Sequence, residues 1–376
     1  MSGKRAHIIY YNYLKPDGSE VSIGGVQTYI TNLVPILRQC GYVVSIYQRA
    51  TRDFYKKLDD CDVYGIEHQD LNGEPIKKAL LAKVLSCIDC SNDLLIYACE
   101  TCITQSVPCK TIAIQHGIFW DVPETSPFSK YRYFRKYVGK CFLAWKTVLR
   151  LKKVDYLVCV DNNFINWHRA ITPSPQVRHI FIPNFTTIPA SQPQKQHDGI
   201  NIIFARRFFI HRGTRLFANV MERLLEEHQK INVTIAGTGP DADYMHKKLD
   251  SFQNVQFTTF DSQDSLHIHE DKDIAVVPTI GSEGTSLSLL EAMASGCAVV
   301  CTNVGGMTNI ILDGFNGMMV YPEEEELYKA LNSLIEDSSL RAKLQANAYN
   351  CVKDAFSLQR WQDAWKKVID NVTETM

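Results

Sequence analysis

The sequence predicts an α/β protein built as two lobes, each a parallel sheet with helices on both faces. Three observations carry this. Apolar runs of strand length alternate with segments of helical period along nearly the whole chain. The 376 residues amount to about two domains, and 45% apolar residues can fill two cores. Residues 186–199, rich in Pro, Gln and Ser, separate one alternating series from the next.

The first lobe is expected over 1–185. His7-Ile8-Ile9-Tyr10-Tyr11 reads as a buried strand, and a polar loop leads from it to Gly24-Gly25. A helix is expected over 26–40, with Tyr29, Ile30, Leu33, Ile36 and Leu37 on its apolar side and Gly41 as its stop. Strand, glycine pair and helix open a βαβ unit, in which glycines let backbone amides come close to a bound group. The GxGxxG dinucleotide fingerprint is absent, which argues against a dehydrogenase. Further strands are expected at 43–47, 94–98, 111–114 and 155–160. Gln115-His116-Gly117 ends the third of these at its carboxyl edge, where ligands bind in such sheets. Residues 130–153 then hold nine Lys or Arg and no acid. Phe134, Val138, Cys141, Phe142, Trp145, Val148 and Leu149 fall on one helical face, and Arg132, Lys136, Lys140, Lys146 and Arg150 fall largely opposite. Such a segment reads as a surface for anionic lipid headgroups, or as a helix packed on the sheet with a solvated basic face. Gly139 is expected to divide it.

The second lobe is expected over 200–355. It begins with a strand at 200–205, followed by Arg206-Arg207-Phe208-Phe209-Ile210-His211-Arg212-Gly213. Separated cations at a strand-to-helix junction suit a diphosphate. Residues 233–236 read as another strand, with Gly237 and Gly239 in the loop behind it. Ile274-Ala275-Val276-Val277-Pro278 reads as a buried strand, and Ser282-Glu283-Gly284-Thr285-Ser286-Leu287 opens a helix that contains Glu291. The unpartnered amides of a helix start favour an anion. At about 100° per residue, Glu291 would fall within roughly 80° of Glu283 around the axis. Two carboxylates beside an anion site suit a ligand with phosphate in the middle and hydroxyls at both ends, the layout of a nucleotide sugar. Helices are expected over 323–336, 339–353 and about 358–372, the last with Trp361, Trp365 and Val368 on one face. His267 and His269 are expected at the surface.

The run SEGTSLSLLEAMASGCAVVCTNVGG, with Gly305-Gly306, Asp313-Gly314, Asn316-Gly317 and Pro322, resembles the glutamate-x7-glutamate signature of retaining glycosyltransferases of family four. The type suggested is the bacterial one acting on polysaccharide or lipopolysaccharide. The resemblance is strong over 200–322 and looser before it. It implies the GT-B architecture: two Rossmann-like lobes facing a central cleft, with residues 356–376 forming a helix that crosses back to the first lobe. It also implies roles. Glu283 would hold sugar hydroxyls, Glu291 the ribose hydroxyls, and Arg207 and Arg212 the diphosphate. His116 would touch the donor sugar, Gly24 and Gly25 would face the donor diphosphate and the acceptor, and Gly237 would wall the base. Gly284, Thr285, Ser286 and Leu287 would bind the donor at the helix start. Three departures stand out: Asn309 replaces a frequent glutamate, Arg206 a glycine, and Arg212 a lysine. Arginine keeps the charge and can grip phosphate with two donors. The activity implied is retaining, metal-independent sugar transfer from a nucleoside-diphosphate sugar to a hydroxyl of a glycan or lipid-linked acceptor. No cofactor is implied.

Bulk properties narrow the partners. A net charge of −1 removes any global electrostatic case for nucleic acid. No run of about 18 apolar residues is present to span a membrane, and the N-terminus lacks the apolar core of a secretory signal. Twelve cysteines without a compact framework fit a reducing compartment. The expected location is the cytoplasm, with residues 130–153 on the inner face of the plasma membrane. Cys87-x-x-Cys90 and Cys99-x-x-Cys102 flank a core strand and read as buried thiols, and no metal site is expected. Two other readings of such a scaffold stay open: a nucleotide-sugar epimerase or hydrolase, and a catalytically silent partner subunit.

Overall fold

The computed structural model describes residues 3–69, 73–121, 134–172, 176–195, 197–261, 264–281 and 283–374. Ser282 and residues 130–133 of the basic segment therefore lie outside the described residues. The chain forms two compact units.

The first unit comprises Met1–His116, Cys141–Pro183 and Trp361–Met376. Its elements run β1 (Arg5–Ile9), α1 (Gly25–Gln39), β2 (Val43–Ala50), β3 (Phe54–Lys57), β4 (Asp62–Glu67), α2 (Glu74–Leu85), β5 (Leu94–Tyr97), β6 (Lys110–Gln115), α3 (Lys140–Leu151), β7 (Tyr156–Cys159), α4 (Asn162–Ile171) and β8 (Arg178–Phe181). The sheet order is β3-β4-β2-β1-β5-β6-β7-β8. Every pairing is parallel except β3 against β4. β5 and β7 are buried on both faces, as strands inside a parallel sheet must be, and their four-residue apolar runs supply that. The edge strand β3 alternates between half-exposed and exposed residues.

The second unit comprises Gly117–Lys140 and Asn184–Arg360, so the chain leaves the first unit after His116 and returns at Cys141. The continuous first lobe expected from the sequence lacks this excursion. Its elements are β9 (Ile200–Ala205), α5 (Thr214–Glu227), β10 (Ile231–Ala236), α6 (Ala242–Leu249), β11 (Val255–Thr258), β12 (Ile274–Val277), α7 (Leu287–Ala294), β13 (Ala298–Thr302), β14 (Met318–Val320), α8 (Glu324–Glu336) and α9 (Ser338–Ala355). The six strands are all parallel, in the order β11-β10-β9-β12-β13-β14. One face is packed by α5, α6 and α8 around Phe204, Phe217, Met221 and Leu331, and the other by α7 and α9 around Leu290, Met293, Val299 and Val352.

The last helix, α10 (Leu358–Glu374), begins in the second unit and groups with the first from Trp361 onward. Its Trp365 Nε1 donates to Tyr29 Oη of α1 at 2.8 Å, and Trp361 stands edge-on to the same ring at 4.9 Å between centroids.

Several expectations are corrected. The basic segment does not divide at Gly139: a wide helical turn over Arg135–Gly139 runs straight into α3. Its faces also differ from the expected ones. Thr147, Val148, Arg150 and Leu151 are buried, whereas Phe134, Val138, Phe142, Trp145 and Leu149 are exposed. Cys90 is bonded to Cys109, so it is not a free thiol, and the other ten cysteines are free. His267 is exposed as expected, but His269 is buried and bonds through Nδ1 to the Ser265 carbonyl at 2.6 Å. Among the described residues no helix is long and apolar enough to cross a membrane.

Candidate active site

In the second unit the singled-out residues gather beyond the carboxyl ends of two neighbouring strands. Arg206 directly follows β9, and Pro278 and Thr279 directly follow β12. The turn Ile210–Arg212 is seated on the second of these segments. Ile280 N donates to the His211 carbonyl at 2.9 Å. Gly213 closes the turn at φ 78°, where a Cβ would fall 1.8 Å from the Pro278 carbonyl oxygen, so only glycine fits.

Glu283 lies at the centre of this arrangement, with its side chain only 10% exposed. Its Oε2 accepts hydrogen bonds from Arg206 Nη2, from Arg212 Nη1 at 2.6 Å and from Thr279 Oγ1 at 3.1 Å. Arg206 Nη1 also donates to Thr279 Oγ1. Burial alone would raise the Glu283 carboxyl. The charges of Arg206 and Arg212, with the hydrogen bonds from Arg206 and Thr279, outweigh that and hold it below the usual carboxylate value.

The backbone from Glu283 to Ser286 is buried and pinned from several sides. Gly306 N donates to the Glu283 carbonyl at 3.1 Å, and Asn184 Nδ2 donates to the Thr285 carbonyl at 2.7 Å. Gly305, at φ 54°, comes so close that a Cβ would fall 2.0 Å from the Glu283 oxygen. Gly117, which groups with this unit, would bring a Cβ to 2.8 Å from Gly284 N. Ser286 takes the N-cap position of α7 without a side-chain capping bond, and its hydroxyl lies 3.2 Å from Ser288 Oγ. The α7 amides are thus not capped by that side chain.

Glu283 falls before the helix, as expected, but α7 begins only at Leu287, so the angle of about 80° between Glu283 and Glu291 does not hold. Glu291 sits in the second turn of α7, partly buried and hydrogen-bonded to Ser265. Burial pushes its carboxyl up to about 7, opposed by that bond. Arg207 is exposed, whereas Arg206 is the arginine turned inward. Gly237 follows β10 and would bring a Cβ to 2.0 Å from the Arg206 carbonyl oxygen.

Gly24, Gly25 and His116 belong to the first unit. Gly25 is the first residue of α1 and Gly24 its N-cap. His116 follows β6, with Nε2 2.8 Å from the Ala98 carbonyl, which makes Nε2 the protonated nitrogen. Its ring meets Tyr29 of α1 edge-on at 5.1 Å. Burial lowers its pKa to about 4, so the ring is neutral near pH 7. Cavities of about 290 and 230 Å³, lined among others by Cys109, Lys110, Lys153 and Asp155, lie at the opposite, amino ends of β6 and β7. Among the described residues no three His, Cys, Asp or Glu side chains are grouped to hold a metal ion.

Arg206, Thr279 and Asn184 are the site residues that sequence reasoning missed. Arg206 was noticed only as a departure from a family glycine, and nothing local to Asn184 marks its contact with the Thr285 carbonyl. For Thr279 the one available signal was its place two residues beyond a buried strand.

The segment that holds this site matches known proteins. Residues 187–351 match the family model for glycosyl transferases group 1. An uncharacterized glycosyltransferase of Methanocaldococcus jannaschii is 26% identical over 276 residues, covering 70% of this chain and 68% of the relative. The solved sucrose-phosphate synthase of Thermosynechococcus elongatus superposes with a TM-score of 0.77 at 15% identity, over 99% of this chain and 100% of that one. Anabaena HepE, solved with UDP and glucose, gives 0.70 at 14% identity, over 98% and 100%. At these identities the structural likeness establishes the fold, which is GT-B. The family match and the relatives agree on one activity class, glycosyl transfer.

Proposed function

We propose that the chain is a retaining glycosyltransferase that moves a sugar from a nucleoside-diphosphate sugar to a hydroxyl of a glycan or lipid-linked acceptor. One observation carries the reading. Glu283 is held as an anion beside Arg212 and next to a buried backbone that leads into a helix start, within the segment that matches the transferase family. HepE supports a uridine nucleotide as the first donor to try, since that protein was solved with UDP and glucose.

In this reading the bond from the anomeric carbon to the diphosphate oxygen breaks, leaving positive charge on the sugar and negative charge on the departing group. Arg207, Arg212 and the amides of Gly284, Thr285, Ser286 and Leu287 stabilise that negative charge. The acceptor oxygen bonds to the anomeric carbon from the face the diphosphate leaves, and its proton passes to a phosphate oxygen. Glu283 orients the sugar, Glu291 accepts from the ribose hydroxyls, and Gly237 borders the base. The two arginines supply the positive charge that a divalent ion provides elsewhere, so we propose that no metal or other cofactor takes part.

A peripheral membrane role fits the same reading. Phe134, Val138, Phe142, Trp145 and Leu149 form an exposed stripe beside Lys136, Lys140 and Lys146. Apolar insertion flanked by lysines suits an anionic lipid surface, where each basic residue is worth about 1 kcal/mol. This supports a cytoplasmic enzyme working on the inner leaflet, in polysaccharide or lipopolysaccharide synthesis.

The test is stereochemical. A panel of UDP-sugars and sugar acceptors is incubated with the chain in EDTA, and the new anomeric signal is followed by NMR. An α-linked product from an α-linked donor is expected. A β-linked product would overturn retention, and free sugar or an epimer without acceptor would favour a hydrolase or epimerase.

A further inference from the structure

We propose that Arg206 is the positioning residue of this site: its guanidinium clamps Glu283 against Thr279, occupying one carboxylate oxygen inside the protein and leaving the other, Oε1, to the ligand. The ligand's identity rests on the glycosyltransferase reading; the clamp does not.

The geometry is specific. All the hydrogen bonds that the described residues give Glu283's carboxylate go to Oε2. Arg206 reaches it with Nη2 while Nη1 holds the Thr279 hydroxyl, so one fork spans both partners. Thr302 Oγ1, at the end of β13, donates to the Thr279 carbonyl. The clamp therefore joins the ends of three adjacent strands, β9, β12 and β13. Arg206 is 6% exposed, against 29% for Arg212, and Arg207 is exposed, so Arg206 is the most enclosed of the three. Arg206 is turned inward and Arg207 is exposed, so the two divide the work between inside and outside.

The charged and titratable groups facing Glu283 are Arg206 from the end of β9 and His211 and Arg212 from the following turn, while Cys301 of β13 faces Arg206. Removing the buried arginine leaves burial opposed mainly by the more exposed Arg212, and the Glu283 carboxyl moves upward. An acid raised in the folded state keeps its proton after the unfolded chain has released it, so stability then falls as pH rises.

The test uses the full chain as wild type, Arg206→Gln, Arg206→Lys, Glu283→Gln and the double variant Arg206→Gln/Glu283→Gln. Melting temperatures are read at about pH 5.5 and about pH 8.5. Relative to wild type, Arg206→Gln should lose more at the higher pH, Arg206→Lys should keep the wild-type profile, and the double variant should return to that profile. If Arg206→Gln does not fold, recovery of folding in the double variant supports the clamp, and failure of both overturns it. Equal losses at both pH values, or an extra loss at high pH relative to wild type that persists in the double variant, also overturn it. With a working donor, Arg206→Gln should lower turnover about a hundredfold while UDP affinity stays, and Arg206→Lys should recover part of it. A chain that transfers no sugar but keeps the melting pattern refutes the enzyme reading and leaves the clamp standing.

Discussion

Glu283 and Glu291 are eight positions apart and have opposite electrostatic fates. Both are buried enough for burial to raise their carboxyls. Glu283 meets two arginines and is pulled below its ordinary value, whereas Glu291, buried and bonded to Ser265 among the described residues, is pushed up to about 7. The second fate gives a sign that can be checked. Glu291 keeps its proton in the folded chain after the unfolded chain has lost it, so it erodes stability as pH rises from about 4.5 through about 7. Glu291→Gln is therefore expected to gain up to about 3 kcal/mol relative to wild type between about pH 5 and about pH 8 in urea unfolding. A constant difference across that range would remove the buried-acid account. At this scale the sequence was legible where residue type and chemistry coincide. Glu283 and Arg212 were named from the strand-to-helix junctions and meet at 2.6 Å. Arg206 was not legible as an inward clamp, because which of two adjacent arginines turns inward depends on the strand's orientation in a sheet whose register the sequence does not state. Asn184 and Thr279 were hidden for the same reason: their partners lie 101 and 4 positions away and are brought close only by the fold.

Elements with a strong apolar period were read well and amphipathic ones less so. The helix 26–40 is α1 at Gly25–Gln39, and 323–336 is α8 at Glu324–Glu336. Strands such as β3, β4 and β14, which are short or half-exposed, carry little apolar signal and went unnamed. On α3 the helix was expected, but Val148 and Arg150 pack inward rather than on the faces expected for them, while the aromatics stay out. The exposed aromatics yield a prediction at the same scale. Phe142 and Trp145 are 64% and 57% exposed, so Phe142→Ser/Trp145→Ser should change stability by no more than about 0.5 kcal/mol per site. In vesicle sedimentation the same variant should lose most of its binding to phosphatidylglycerol-containing liposomes. Unchanged sedimentation, or no wild-type binding at all, would remove the membrane-surface role from this helix.

At the scale of the molecule, two parallel-sheet units were anticipated from length, alternation and a polar linker, and both are present. The excursion of Gly117–Lys140 into the second unit was not, since nothing in local composition marks which core a connecting segment joins. The central claim is that the second unit holds a nucleoside diphosphate at Glu291, Arg207, Arg212 and the start of α7. Calorimetric titration in EDTA with UDP, then GDP, dTDP, ADP and CMP, tests it most directly. One diphosphate is expected to bind saturably, with affinity falling about tenfold or more in Glu291→Ala, equivalent to about 1.4 kcal/mol. No binding by any of the five, or binding that Glu291→Ala leaves unchanged, would contradict the donor site and turn the reading toward a silent partner subunit.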